Sequence, residues 1–323
     1  MLDPSQLGLT SEAAVLAEAT AIATEHFGAE PVSTVLCAQQ GESSCTVEVG
    51  MKDGSHFVVQ LRSGPVDEKS ALEAHEILGD LVPVPTRVIR GGSPVPYAYV
   101  MPRIPGETWA TKDDRGWSRK CHIKVAGQIG DIIGKCCSQK SSTESNIVDE
   151  FIGRRLQLYL KWGEPAVEPY KKLIKTLLER LDDLRRLPLC LTHWDINMMN
   201  IMVTDAGNVT GILDWQAAYW TPFGMNTCRI SELAAYNFQG VLTKRSYSDK
   251  MEKAFWRGLF KAAPKEVRMM VSEIQLAKDI GLLMSTFHDA SGTPHPSQVA
   301  ILNKSMDIYR VPEDLSVLVC APL

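Results

Sequence analysis

Two short turns in this chain carry side chains suited to moving a phosphoryl group. The first reads His193-Trp194-Asp195-Ile196-Asn197-Met198-Met199-Asn200, and the second Ile212-Leu213-Asp214-Trp215. Asp195 and Asn200 are five residues apart, a spacing that lets one loop aim both side chains into one site. Asp214 follows a second apolar strand that begins near Gly211. Phosphoryl transfer is mostly positioning plus charge neutralisation. One carboxylate takes the proton of the attacking hydroxyl, while an amide and a second carboxylate hold Mg²⁺ against nucleotide phosphates. The plainer alternative makes both aspartates solvated turn residues, since Asp is common where strands end. The flanks weigh against it: residues 189–191 and 201–203, with Ile212 and Leu213, are apolar, so the polar groups lie at the mouths of buried strands.

The ordered set His-x-Asp-x-x-x-x-Asn, a β-hairpin, then Ile-Leu-Asp-Trp resembles the aminoglycoside phosphotransferase and choline kinase family. The continuation Trp220-Thr221-Pro222-Phe223-Gly224 looks like a fungal branch of it. That resemblance implies an α+β, bilobal protein-kinase-like fold. Residues 1–101 would form a small N-terminal lobe, an antiparallel β-sheet that binds nucleotide. Residues 102–323 would form a larger, mainly helical C-terminal lobe with the catalytic loop and the acceptor pocket. It further implies ATP and Mg²⁺ as cofactors, Asp195 as catalytic base, Asn200 and Asp214 as metal ligands, and His193 as a brace for the loop. One departure stands out: Trp194 occupies a place where the family usually has Gly.

The elements that must position these residues follow from local signals. Residues 11–26 are Ala-rich and charged on one side, capped by Thr10 or Ser11 and stopped by Gly28, which predicts a helix. Val47, Val49 and Met51 alternate with Glu48 and Gly50, Asp53-Gly54 supplies a turn, and residues 57–61 return as an apolar strand. A helix is expected over 67–78, ended by Gly79, and Pro83-Val84-Pro85 leads to another strand pair that closes with Tyr97-Ala98-Tyr99-Val100-Met101. Beyond Pro102 the periodicity is helical, with long helices expected around 147–162 and 165–186, a Ser/Thr-rich loop at 138–145, and a mostly helical chain after Gly224.

Within this frame Gly41, Ser43 and Ser44, just before the first strand of the hairpin, offer backbone and hydroxyl donors for a phosphate. The turn resembles the phosphotransferases' G-x-S-N turn with Ser44 in place of Asn. The family's phosphate-gripping Lys or Arg falls on Gln60, which is neutral. Arg62 lies on the same strand face about 7 Å along, within reach for so long a side chain. Its partner glutamate is open among Glu68, Glu73 and Glu76, since counting back from Pro83 lands on Ala71. Met101, Arg103 and Ile104 lie in a segment that looks like the family's hinge, where backbone groups meet the adenine edge; Pro102 removes one donor there.

Charge and composition bound the partners. A formal charge of -4 gives no reason to expect nucleic acid or an anionic membrane, and no run of eighteen uncharged apolar residues occurs. The N-terminus lacks a basic region, so no signal peptide is expected. The reading is a soluble, cytoplasmic protein with a small-molecule substrate and an open oligomeric state. Eight cysteines without a Cys-x-x-Cys pair are expected to be free thiols rather than zinc ligands. Residues 1–106 hold 6 basic against 13 acidic residues, a field that Mg²⁺ must offset near a nucleotide. Residues 107–185 hold 15 against 12, and residues 225–323 hold 12 against 10, so neither helical region supplies the acidic wall an aminoglycoside polycation favours. A small-molecule kinase is the first expectation. The alternative is a kinase fold that has lost phosphoryl transfer and binds or converts another small molecule, suggested by Gln60, Trp194 and the acidic first lobe. A protein kinase is disfavoured, because Asp-Phe-Gly, Ala-Pro-Glu and a G-x-G-x-x-G loop are missing.

Overall fold

Ser11 accepts a hydrogen bond from Ala14 N at 3.2 Å and starts helix α1 (Glu12–Phe27), which Gly28 ends at φ 67. The computed structural model that shows this describes residues 3–41, 43–141, 146–238, 241–287, 299, 302 and 310–312. Its contacts divide the chain into two compact units, residues 1–105 with 213–216, and residues 106–212 with 217–323. The protein has the bilobal α+β architecture of the protein-kinase-like folds.

The first unit is built on one antiparallel sheet of β1 (Ser33–Leu36), β2 (Ser44–Gly50), β3 (His56–Arg62), β4 (Thr86–Val88) and β5 (Tyr97–Pro102), in the order β1-β2-β3-β5-β4. Alternation does the work expected of it. Cys45, Val47 and Val49 of β2 and Val59 and Leu61 of β3 face Val15, Ala19, Ile22 and Ala23 of α1, which recur at helical spacing, and together they form the unit's core. Helix α2 (Glu68–Leu78) is capped by Asp67, whose carboxylate accepts from Lys69 N at 3.1 Å.

The second unit opens with β6 (Glu107–Thr108), α3 (Trp109–Asp114) and α4 (Arg119–Lys135). Strands β7 (Cys137–Ser141), β8 (Pro188–Thr192), β9 (Ile201–Val203), β10 (Val209–Ile212) and β11 (Tyr219–Pro222) make two small sheets, β10-β9-β6 and β11-β8-β7. Gly106, at φ 97, lies so close to β9 that a Cβ there would meet Val203 O at 2.3 Å.

Two expectations change here. Residues 137–141 pair as a strand with β8, Cys137 opposite Cys190, where a loop was expected; residues 142–145 lie outside the described residues. The two long helices are broken. A wide π-type turn (Ile147–Gly153) precedes α5 (Arg154–Lys161), and a 3₁₀ turn (Glu168–Tyr170) precedes α6 (Lys171–Glu179) and α7 (Leu181–Leu184). After Gly224 a hairpin, β12 (Ala235–Phe238) and β13 (Val241–Lys244), interrupts the helices α8 (Ile230–Leu233), α9 (Ser248–Ala262) and α10 (Val271–Phe287).

Glycine sets the closest helix contact. Gly127, Gly130 and Gly134 place one face of α4 on α9 so tightly that a Cβ at Gly130 would sit 2.0 Å from Phe255 O, and one at Gly258 2.0 Å from Gly127 O. Main chain touches main chain along this seam. No helix among the described residues is long and apolar enough to cross a membrane. Burial pushes the thiols of Cys136 and Cys137 up to about 12, so they pack as small hydrophobes; Cys320 lies outside the described residues.

Candidate active site

Buried β8 and β9 carry the Asp195 loop between them. Asp195 is exposed at its tip, whereas His193 and Ile196 are buried beneath it. His193 Nδ1 accepts from Asp195 N at 3.1 Å, which fixes the turn from below. Asn197 Nδ2 donates to Asp195 Oδ1 at 2.8 Å, and Asn200 Nδ2 donates to Asp195 Oδ2 at 2.9 Å and to Asp195 O at 2.9 Å. The spacing of five thus brings Asp195 and Asn200 into direct contact. Because the amide nitrogen of Asn200 is committed to the carboxylate, its Oδ1 remains as the atom able to ligate a hard cation. Arg229 secures the same loop by donating to Trp194 O, and it pairs with Glu232 at 2.7 Å. Burial opposes the Arg229 charge, but Glu232, Cys228 and Asp195 outweigh it and hold its pKa above the ordinary value.

Helix α3 supports the loop from another side. Ala110 N donates to Met198 O at 3.0 Å, and Arg245 Nη2 lies 3.7 Å from Met198 Sδ. Arg245 is fully buried in a two-pronged pair with Asp113, at 2.9 and 2.6 Å, under the Tyr236 ring at 3.8 Å. Asp113 also meets His122 Nε2 at 3.3 Å, while His122 Nδ1 accepts from Trp109 Nε1 at 2.8 Å. That acceptor role assigns the proton to Nε2 and leaves no ring nitrogen for a metal. Among the described residues no group of three or more His, Cys, Asp or Glu could hold a metal ion by itself.

Burial, then the Arg245 charge, push the His122 pKa down to about 4, with Asp113 opposing them. The sign follows from linkage. The unfolded chain binds a proton below its ordinary value of 6.5, whereas the folded one does not until about 4. The stability that neutral His122 contributes is therefore complete above that ordinary value and declines as pH falls through the interval. We expect the melting temperature of the wild type to fall faster than that of His122→Asn between pH 6.5 and pH 4. Parallel melting curves against pH would rule this out.

In the first unit Arg62 is 7% exposed. Its Nη2 donates to Ser43 Oγ at 2.8 Å and to Gln216 Oε1 at 2.9 Å, its Nε is buried without a partner, and no carboxylate among the described residues lies within ion-pair distance. Glu73 pairs instead with Lys69 at 3.7 Å. Ser44 stands opposite Arg62 across the β2–β3 ladder and is buried, with Gly41 against it: a Cβ on Gly41 would lie 3.1 Å from Ser44 Oγ. Gln60 is two pairs further down that ladder, opposite Thr46, and half-buried. Asp214 belongs to this unit and is the non-glycine residue with positive φ, 63, among those described. A left-handed non-glycine backbone carries strain of a kind that clusters at functional positions.

The Met101, Arg103 and Ile104 segment is partly committed. Arg103 N donates to His56 O at 3.1 Å, its side chain pairs with Glu48 at 2.8 Å, and Ile104 is buried. Strand β4 begins opposite Val100, so no strand among the described residues flanks Met101 and Pro102 on that side.

A family model described as the phosphotransferase enzyme family matches residues 38–225, which span the Gly41 turn, Arg62, the Asp195 loop and Asp214. The chain belongs to that family. Its members are phosphotransferases, and solved structures similar to this one carry the same fold at low identity. An ethanolamine kinase from Plasmodium vivax is 13% identical with a TM-score of 0.56, covering 96% of this chain and 91% of its own. An aminoglycoside 2'-phosphotransferase-IIIa is 11% identical with a TM-score of 0.57, covering 90% and 98%. An amicoumacin kinase is 13% identical with a TM-score of 0.53, covering 96% and 100%.

Sequence reasoning missed Asn197, Gln216, Arg229 and Arg245. Only Asn197 carries a local signal, an amide two residues beyond an Asp at a turn; the other three act on residues far away in the chain.

Proposed function

We propose that this phosphotransferase moves the γ-phosphoryl group of ATP to a hydroxyl or amine of a small molecule, with Asp195 as base, Asn200 and Asp214 as Mg²⁺ ligands, and Arg62 rather than Gln60 as the phosphate-binding cation. The observation that carries the reading is the Asn200–Asp195 hydrogen bond. It holds one carboxylate oxygen in place to accept the acceptor's proton and commits the amide so that its carbonyl oxygen serves a cation. The donor set fits Mg²⁺, which takes carboxylate and carbonyl oxygens. Arg62 fits a phosphate: a buried cation with an orphaned Nε and only neutral partners is complete when an anion arrives. Mg²⁺ on the nucleotide supplies the charge neutralisation that the transferring group needs. The similar amicoumacin kinase was solved with AMP-PNP and Ca²⁺, which agrees with a nucleotide and a divalent ion.

The alternative, a kinase fold turned to another ligand, draws on the neutral Gln60. The guanidinium two residues along weakens that motive. Saturating Mg-ATP, at one hundred times its Kd, is expected to stabilise the protein by about 2.7 kcal/mol, seen as a raised melting temperature. Absence of both a thermal shift and calorimetric heat at millimolar Mg-ATP would sink the kinase reading. Arg62→Ala is expected to weaken nucleotide binding more than Gln60→Ala; the reverse order in calorimetry would return the cation's role to the Gln60 position.

A further inference from the structure

Trp194, where the family usually has Gly, lies between the buried His193 and the exposed Asp195, so its Cα is about 3.8 Å from that of the base. Its indole stacks on Tyr219 with centroids 5.4 Å apart and planes at 27°. Tyr219 in turn meets Phe151 edge-on at 4.8 Å and 88°, and the Arg155 guanidinium lies 4.9 Å over the Phe151 ring. All three residues are half-buried. The indole Nε1–H is buried and has no acceptor. A buried donor of this kind normally has a partner, and its absence here is most simply met by a ligand or water.

The charges around these rings narrow the ligand. Arg155 sits on Phe151, and Arg229, tied to Trp194 O, is paired with Glu232. Trp194 and Tyr219 cover each other's faces and Arg155 covers that of Phe151, so the rings do not form an open cage of the kind that encloses a quaternary ammonium ion. The rings therefore offer apolar surface plus one hydrogen-bond donor rather than an open cage for a cation. Resting on the kinase reading above, we propose that Trp194, Tyr219 and Phe151 form one wall of the acceptor site and select a planar aromatic molecule bearing a hydroxyl, with an oxygen that accepts from the Trp194 indole N–H. In the transfer, the acceptor O–H gives its proton to Asp195 as its oxygen bonds to the γ-phosphorus. The bond from that phosphorus to the β–γ bridging oxygen breaks, and ADP leaves with the electron pair.

Four probes test this: umbelliferone, its glucoside, choline and kanamycin, each titrated calorimetrically into the full chain with Mg-AMP-PNP and assayed for ³²P transfer from labelled ATP. The expected result is binding and phosphorylation of an aromatic probe. Trp194→Phe, which keeps a ring and loses the N–H, should raise its KM by up to ~10-fold with kcat held. Trp194→Gly should raise it further, and nucleotide affinity should be unchanged in both. The proposal is overturned if choline or kanamycin is phosphorylated in place of the aromatic probes. It is equally overturned if neither aromatic probe gives heat although Mg-ATP raises the melting temperature, or if Trp194→Phe and Trp194→Gly bind the aromatic probes as the wild type does. A missing Mg-ATP shift would instead fault the kinase reading itself.

Discussion

Asp195→Asn is expected to lower phosphoryl-transfer turnover by ~10²-fold or more while leaving nucleotide affinity nearly intact. The substitution keeps the shape of the side chain. One oxygen remains to accept from Asn197 or Asn200, so the loop held by His193 and Arg229 should persist. What disappears is the basic oxygen and its charge. Asp214→Asn makes the useful contrast, because that carboxylate is proposed for the metal and Asn also tolerates the left-handed backbone at φ 63. Its loss should appear in Mg²⁺-dependent nucleotide binding. Initial rates with an acceptor that the wild type phosphorylates, set beside calorimetry with Mg-AMP-PNP, separate the two. Turnover that survives Asp195→Asn would remove Asp195 from the role of base.

Gly130→Val is expected to be among the most damaging substitutions outside the site. The new Cβ would lie 2.0 Å from Phe255 O and 2.9 Å from Leu259 N, both main-chain atoms that no side-chain rotation can move aside. Helices α4 and α9 must separate, and overpacking of this type costs about 3 kcal/mol or more. For a domain of this size that lowers the melting temperature by about 10 °C. Gly163→Ala serves as the control, since nothing lies within 4 Å of a Cβ placed there. Equal melting curves for the two variants would mean that the helices are not in main-chain contact.

The parts of the fold that local chemistry dictates were readable from sequence. Ser11 with Gly28, and Asp67 with Gly79, bracket α1 and α2 because caps and left-handed stops are properties of single residues. The break between α6 and α7 was not readable. Leu177, Leu178, Leu181 and Leu184 keep a helical rhythm across Arg180, whose backbone turns at φ -110. Strand β7 was missed because its Ser, Gln and Lys show no alternation; it is held by pairing with β8. At the candidate site the contact of Asp195 with Asn200 followed from spacing, since both lie on one loop. The Arg62 contact with Gln216 spans 154 positions, and nothing in the identity of a glutamine foretells it.

That contact also bears on how the chain can be divided. Residues 213–216 belong to the first unit although they follow strand β10 of the second, so the main chain passes from one unit to the other three times, after residues 105, 212 and 216. A fragment cut at the first passage would retain Arg62 and Ser43 but would lack both Gln216 and Asp214. Its buried guanidinium would have lost one of two neutral acceptors. The first unit is thus a spatial body rather than a separable length of sequence, and its buried Arg62 depends on a tetrapeptide that follows the second unit's hairpin in the chain.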